Sequence, residues 1–271
     1  DFPRPENGWS HHHCRRRWDL AEDDLLRYKF FQAFDELMNA CEDRFGWLSA
    51  EHQYVTLKDN GDKVIAFERG ELFFVFNFHP CNSYSDYQIG LSWNEPMKCV
   101  LDSDEGRFGG HCRLEYGHAN AFPPLHGVNN RPHSVKMYLP SRTVQVLVKD
   151  RFLQGGVKVL LTKEYLADKG LEAEHVSFTR QVWQDGKQVM LPPQRFAKDG
   201  CMHLEADSEA TFKLEGPDGE PLPCGASKDG LFRAYFPGEY NVAGTGYLRV
   251  GPGGKAGAVP GRAIKAAAAA A

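Results

Sequence analysis

The sequence contains no apolar run that approaches the roughly 18 residues of a membrane-spanning helix, and it shows no signal or transit segment. It also lacks an excess of positive charge, because 32 Lys and Arg stand against 36 Asp and Glu. Without a long apolar run and without excess positive charge, the sequence gives no reason to expect a membrane or a nucleic acid as partner. The length of 271 residues and the hydrophobic content of 42% are typical of a globular protein with one or two domains.

Metal-binding and redox motifs are missing as well. The seven cysteines are an odd number at irregular spacings and form no C-x-x-C pair, which disfavours zinc and thioredoxin-type sites. The adjacent residues His11, His12 and His13 point in different directions on any regular element, so they do not suit a shared metal ion. We therefore predict no metal site, no cofactor, and free thiols in a reducing compartment.

The most informative stretch that is present spans residues 62–80. Its β-branched and aromatic residues predict two strands, 63–69 and 72–78, joined by a turn at Gly70. The second strand carries four Phe in seven residues, so we expect both of its faces to be buried. Glu68, close to the predicted hairpin tip, is interpreted as a surface charge.

Short strands separated by turn signals continue along the chain. The other predicted strands are 55–57, 87–91, 97–101, 134–139, 143–148, 175–182, 189–191, 201–206, 211–214, 231–236 and 247–250. A structureless loop is predicted at 106–132, an apolar run lies at 157–161, and a helical turn is predicted at 163–170. This pattern predicts a mainly β protein with an antiparallel β-sandwich and a second, smaller β-rich module.

One segment before the strands has the periodicity of a helix instead. Its apolar residues recur at intervals of three and four: Leu26, Phe30, Phe34, Leu37, Cys41 and Phe45. Asp23 and Asp24 suit the N-terminus of this helix, and Gly46 suits its end. We expect the apolar stripe to pack on the β-sandwich or on another domain, because such a stripe is unstable in water.

Five sequence blocks carry a family resemblance. They are NGWSHHHCRRRWDL from Asn7, DDLLRYKFFQAFDELMN from Asp23, VIAFERG with LFFVFNFHP and SYSDYQIG from Val64, VLDSDEGRFGGH from Val100, and NNRPHSVKMYLPSRTVQVL from Asn129. In this order they resemble eukaryotic 1,4-α-glucan (glycogen or starch) branching enzymes of the α-amylase superfamily, over about residues 1–149. The resemblance implies an all-β C-terminal sandwich preceded by a helix from the end of a (β/α)₈ barrel. We accordingly divide the chain into a barrel remnant (1–48), the sandwich (49–150), a β-rich extension (151–250) and a low-complexity tail (251–271).

The resemblance also implies a function. Enzymes of this family cut an α-1,4 glucan and transfer the released chain to a 6-hydroxyl, which requires two carboxylates about 5 Å apart. The family's acids lie on barrel strands that precede the matched blocks, so no catalytic residue is assigned. Asp102 and Asp104 are a tempting pair, but their Ser- and Gly-containing context is typical of a turn. No G-x-S-x-G elbow or phosphate-binding glycine loop is present either.

We therefore expect the C-terminal piece of a longer enzyme, inactive alone, whose partners are α-glucan and the missing catalytic barrel. The alternative is a non-catalytic glucan-binding or scaffolding protein that reuses the sandwich. The expected compartment is the cytoplasm, with a plastid as the alternative.

Sugar rings stack on exposed aromatic side chains, so aromatic residues beside polar loops are candidate glucan-binding residues. These candidates are Trp9, Trp18, Tyr84, Tyr87 and Trp93, with Trp183 as an analogous candidate in the extension. For each of them, packing in a core or an interface is the alternative.

Overall fold

The computed structural model describes residues 3–12, 17, 19–114, 121–184, 187–204, 210–224 and 231–242. Three features that the sequence predicts lie outside these residues: Trp18, the strand at 247–250 and the tail at 251–271. Within the described part, no helix combines the length and apolarity that a membrane span requires.

A large antiparallel sheet is built around the predicted hairpin. Its five strands lie in the order β1 (Gln53–Asp59), β2 (Val64–Arg69), β3 (Leu72–Asn77), β8 (Thr143–Lys149) and β5 (Met97–Asp102). The turn between β2 and β3 uses Gly70 at a φ of 57°, a conformation that glycine adopts without strain. Burial on both faces is confirmed for β3, but Phe78, just after it, is exposed.

A small sheet faces the large one. Its strands are β4 (Tyr84–Leu91), β7 (His133–Leu139) and β6 (Leu125–His126), in that order. The prediction of a structureless loop at 106–132 is therefore wrong, because β6 pairs with β7 and a 3₁₀ turn spans Gly106–Phe108. A two-residue strand carries too few residues to show the alternation from which strands are predicted.

The core of the sandwich lies between these two sheets. Alternate side chains of each strand point inward, as the pleat of a strand requires. The buried residues are Val64, Ala66, Phe73, Val75, Ile89, Leu91, Met97, Val135, Met137, Leu139 and Leu147. We call this side of the large sheet its inner face and the opposite side its outer face.

A long helix covers part of the outer face. A short helix, α1 (Asp19–Glu22), precedes α2 (Tyr28–Phe45), which ends at Gly46 as predicted. The predicted start is wrong, because Asp23 caps its own turn: its carboxylate accepts the backbone N–H of Leu25 at 2.9 Å. Leu37 and Cys41 of α2 are buried in one cluster with the outer-face residues of the sheet. The apolar stripe was expected to pack on the β-sandwich or on another domain. These residues of the stripe pack on the sandwich.

The remaining strands form two further sheets around a separate core. One sheet contains β11 (Lys187–Met190), β10 (Ser177–Gln184), β14 (Ala210–Glu215) and β15 (Leu231–Ala234), with β12 (Gln194–Arg195) beside β10. The other contains β13 (Cys201–Leu204), β9 (Val157–Leu160) and β16 (Gly238–Asn241), of which β9 and β16 are parallel. The helix α3 (Lys163–Lys169) is capped by Thr162, whose hydroxyl accepts the N–H of Tyr165.

This extension contacts the C-terminal half of α2. The ring centroids of Phe45 and Phe236 lie 5.4 Å apart. The Arg44 guanidinium donates to the carbonyl oxygens of Pro237 at 3.2 Å and of Phe152 at 3.4 Å. Burial lowers the pKa of Arg44, as desolvation of a cation requires. The helix therefore lies between the large sheet on one side and the extension on the other.

The fold class predicted from the sequence, a mainly β protein with antiparallel sheets and few helices, is confirmed. The origin of α2 in a barrel and the four domain limits stay predictions.

Candidate functional site

An aromatic surface surrounds the N-terminal half of α2. Phe31 is 67% exposed, and Leu25 and Tyr28 are exposed beside it. A cavity of about 370 Å³ lies between this half of the helix and the segment after β5, lined by Arg27, Phe30, Phe31, Phe34, Ser103 and Phe108. Exposed apolar area of this kind marks an interaction surface more often than a free surface.

The aromatic surface continues onto the outer face of the large sheet. Phe67 stacks on Phe74 at 4.9 Å and on Phe76 at 5.9 Å between ring centroids, and Phe76 stacks on Phe78 at 5.4 Å. Phe74 lies under α2, whereas Phe78 is 58% exposed. The row of stacked rings therefore extends from beneath the helix into solvent. We call this row, together with Tyr28 and Phe31, the aromatic face.

Glu68 is not the surface charge that the sequence predicted. It is completely buried, and its carboxylate accepts the N–H of Ser92 at 2.7 Å and the hydroxyl of Ser92 at 2.8 Å. His52 Nε2 lies 2.8 Å from Glu68 Oε2, and Arg131 donates to the same oxygen at 3.2 Å. A buried carboxylate needs such partners. Removing one of them leaves an uncompensated buried charge and lowers the free energy of unfolding by about 3–5 kcal/mol.

Tyr84 and Tyr87 are held against the sandwich core. Their rings lie 5.3 Å apart, and both hydroxyls donate to Asp62, at 3.0 Å to its carbonyl and 2.8 Å to its carboxylate. Burial, and then the hydrogen bond to Asp62, raise the pKa of Tyr87. The hydroxyl groups thus already have protein partners, although the role of these residues in glucan binding stays untested.

The tryptophan candidates differ in their surroundings. Trp9 is 63% exposed and adopts a left-handed backbone at a φ of 58° after a 3₁₀ turn, with its N–H donating to the Arg4 carbonyl at 3.0 Å. Trp93 is half-buried, and the Lys149 ammonium lies 4.6 Å from the centroid of its ring. The structure does not bring Trp9 and Trp93 together into a described site, and the side chain of Trp183 lies outside the described features.

Asp102 and Asp104 play different structural parts. Asp104 accepts two guanidinium hydrogen bonds from Arg113, at 2.8 and 3.0 Å, as well as the N–H groups of Arg113 and His111. Burial opposes ionisation of Asp104, but the bonds from Arg113 outweigh it, so its pKa is lowered. Burial raises the pKa of Asp102 to about 6. The Asp102 carboxylate accepts the N–H of Asp104 at 2.9 Å, as expected of a turn.

Among the residues that the structure describes, no cluster of three or more His, Cys, Asp or Glu side chains could hold a metal ion. The described cysteines, Cys41, Cys81, Cys99, Cys112, Cys201 and Cys224, are all free thiols.

Comparison with known proteins matches the sandwich to one family. The family described as "Alpha amylase, C-terminal all-beta domain" matches residues 54–150. A 1,4-alpha-glucan-branching enzyme of Equus caballus is 48% identical over 147 residues, which cover 54% of this chain and 21% of the relative. Enzymes of the same name match from Dictyostelium discoideum, at 48% over 151 residues (55% and 22%), and from Saccharomyces cerevisiae, at 46% over 147 residues (54% and 21%).

The resemblance to eukaryotic branching enzymes is thereby confirmed, with a length of match close to the one read from the sequence blocks. The chain spans about a fifth of the length of the curated relatives that it matches.

Sequence reasoning missed Tyr54 as a surface residue. Tyr54 is 42% exposed, and the Arg131 guanidinium lies 3.5 Å from the centroid of its ring. The residue that fixes Arg131 is Glu68, which is 63 residues away in the sequence. The only local signal for the contact between Tyr54 and Arg131 is the aromatic residue on a predicted strand. Which cation packs on that ring is decided by the tertiary structure.

Proposed function

We propose that this chain is the C-terminal region of a 1,4-α-glucan branching enzyme that transfers glucan chains from α-1,4 to α-1,6 linkage. The observation that carries the proposal is the identity of 46–48% to enzymes of that name over more than half of the chain. The relatives contain about four fifths of their length outside the match, which leaves room for a catalytic barrel. On this proposal the isolated chain has no branching activity.

The region braces that barrel through its aromatic face. Phe31 on α2 and Phe78 just after β3 both expose large apolar rings, at 67% and 58%. Covering such a surface contributes about 25 cal/mol for each Å² of apolar area removed from water. The cavity beside Phe30 and Phe34 offers a recess for side chains of the barrel.

The region also contacts α-glucan, on this proposal. Trp9 presents an exposed ring on a left-handed backbone, a conformation that costs about 1–3 kcal/mol and is often kept for a function. Trp93 is half-buried and is kept as a further candidate. The free thiols favour a reducing compartment, and we propose the cytoplasm, with a plastid as the alternative.

The test is a chimera in which the full 271-residue chain replaces the matching C-terminal part of the Saccharomyces cerevisiae relative. We expect the chimera to branch amylose, measured as a fall in iodine-stain absorbance and as new α-1,6 linkages, whereas the chain alone shows no turnover. Phe31→Asp should separate the barrel from the region and abolish activity. Leu231→Asp, at an exposed residue of the extension, is the matched control and should leave activity unchanged.

Two results would contradict the proposal. Turnover by the isolated chain would place catalysis within it. A folded chimera without activity, in which glucan still binds, would favour the alternative of a non-catalytic glucan-binding or scaffolding protein.

A further inference from the structure

A second aromatic cluster lies at one edge of the sandwich, where Tyr54 lines a cavity of about 220 Å³ together with Phe67 of the aromatic face. Tyr54 stands on β1, which is an edge strand of the large sheet, and Trp93 follows β4 of the small sheet. His52 lies between them in a chain of contacts: its ring centroid is 6.2 Å from that of Trp93, and its Nε2 bonds to Glu68. We call Tyr54, His52 and Trp93 the edge cluster.

Each aromatic ring of the edge cluster is backed by a cation. The Arg131 guanidinium lies 3.5 Å from the Tyr54 centroid, and the Lys149 ammonium lies 4.6 Å from the Trp93 centroid. Tyr54 nevertheless stays 42% exposed, so Arg131 leaves part of this residue open to solvent. A ring held in this way loses little conformational freedom when a ligand stacks on it.

The support of the cluster is buried and hydrogen-bonded, except that the buried Nε of Arg131 has no partner. Glu68, at zero exposure, holds Arg131, His52 and Ser92 together. Lys149 forms an ion pair with Glu71 in the same way. Binding sites that keep their geometry rest on such a second layer of hydrogen-bonded residues.

The charges of this cluster suit a neutral ligand. Arg131 is paired with Glu68, and Lys149 with Glu71, so the two cations leave no net positive charge for a phosphate or a carboxylate. The His52 side chain is 48% exposed and offers hydrogen-bonding capacity beside the Trp93 ring. Two supported aromatic rings, one of them beside a polar side chain, match the stacking and hydrogen-bonding needs of a pyranose chain.

We propose that the edge cluster is an α-glucan subsite, in which Tyr54 and Trp93 stack on glucose units and His52 bonds to a hydroxyl. The inference takes its ligand class, α-glucan, from the proposed function. It adds Tyr54 and His52 to the candidate glucan-binding residues. The edge cluster does not include Phe31 or Phe78, so different variants test glucan binding and contact with the barrel.

Binding of maltoheptaose to the full chain tests this proposal, measured by saturation-transfer NMR and by isothermal titration. We expect a Kd of about 1 mM, typical of a weak single subsite. Tyr54→Ala and Trp93→Leu should each weaken binding about tenfold, whereas Tyr54→Phe and Trp93→Phe, which keep a ring, should stay within about threefold. Phe78→Ala removes a more exposed ring, at 58% against 42% for Tyr54, outside the edge cluster and should have no effect.

Binding without any loss in Tyr54→Ala and Trp93→Leu would overturn the proposal, as would the absence of maltoheptaose binding to the unmutated chain. If an alanine variant unfolds, two-dimensional NMR of the labelled, unmutated chain still decides, because maltoheptaose should shift the resonances of Tyr54 and Trp93; unshifted resonances would overturn the proposal. The chimera assay separates the two proposals: Tyr54→Ala should leave the chimera able to form α-1,6 linkages while its affinity for glucan falls.

Discussion

The two faces of the large sheet are covered to different extents. On the inner face, Phe73 and Leu147 are completely buried against the small sheet. On the outer face, Phe74 is buried under α2, while the same row of rings ends at Phe78, which is 58% exposed. An inner face that is complete needs no further partner to fold. The uncovered part of the outer face is an apolar surface of the kind that often contacts another domain, which is why we propose it as the contact with a barrel.

The largest expected difference between the faces concerns two phenylalanines of one segment. Phe73→Ala should lower the free energy of unfolding by about 3–5 kcal/mol, because it leaves a cavity in a closed core. Phe78→Ala should change it by no more than about 0.5 kcal/mol, because the ring is mostly in water. Urea denaturation of both variants measures the contrast. Equal losses would show that Phe78 belongs to the folded core of the isolated chain.

The next effect concerns how the segment after β5 covers α2. Phe108 of this segment packs edge-on against Phe34 of α2, with centroids 5.5 Å apart. Arg113 fixes the segment through Asp104 and through the carbonyl oxygen of Ser141 at 3.0 Å. Arg113→Met should therefore cost about 2 kcal/mol, less than a fully buried pair because Arg113 is partly exposed.

The stability that Arg113→Met removes should depend on pH in a definite direction. The pKa of Asp104 is lowered from 3.8 in the folded protein, so its pairing stabilises above pH 3.8 and is lost as the pH falls through the lower folded pKa. Urea denaturation at pH 7 and at pH 3 should show the full Arg113→Met penalty at pH 7 and a smaller one at pH 3. A penalty that is the same at both values would show that Arg113 acts by packing alone; Arg113→Lys, which keeps a charge, is the control.

The hairpin could be predicted from the sequence because its causes are local. Alternating β-branched residues, a run of Phe and Gly70 at a turn specify β2 and β3 to within one residue at each end. The end of α2 at Gly46 is local in the same sense. The start of α2 was mispredicted because Asp23 had two local uses, a helix cap and a turn, and the structure adopts the turn.

The candidate site depended on partners that are distant in sequence. Glu68 was taken for a surface charge because Arg131, which is 63 residues away, could not be associated with it from the sequence. Tyr87 appeared beside polar residues in the chain, yet its hydroxyl bonds to Asp62, 25 residues earlier. Periodicity reports which face of an element is apolar, but not which polar groups meet across two sheets.

Asp102 provides a smaller test of the closed inner face. It is buried opposite Gln145 at the end of β5, and burial raises its pKa from 3.8 to about 6. The folded state therefore binds more protons than the unfolded state between these values, so stability falls as the pH rises from about 4 to about 6. Asp102→Asn should add about 1 kcal/mol of stability at pH 7.5 and none below pH 3.8. Denaturation curves at pH 7.5 and 3.5 check this, and a gain that is equal at both would contradict it.

The smallest expected effect concerns the contact between the extension and α2. It tests whether the extension helps to hold α2 on the outer face. Arg44→Met removes the hydrogen bonds to Pro237 and Phe152, which are worth about 1 kcal/mol each, but it also removes a partly desolvated cation whose pKa is lowered by burial. The net loss of stability should stay below about 1 kcal/mol. Amide hydrogen exchange should nevertheless become faster at the C-terminal half of α2 and at β16, because the contact between these two elements is weakened. Exchange in β2 and β3 should stay unchanged. Arg44→Lys, which keeps the charge without the planar fork, should show the same local change; unaltered exchange in both variants would mean that the sheet alone holds the helix.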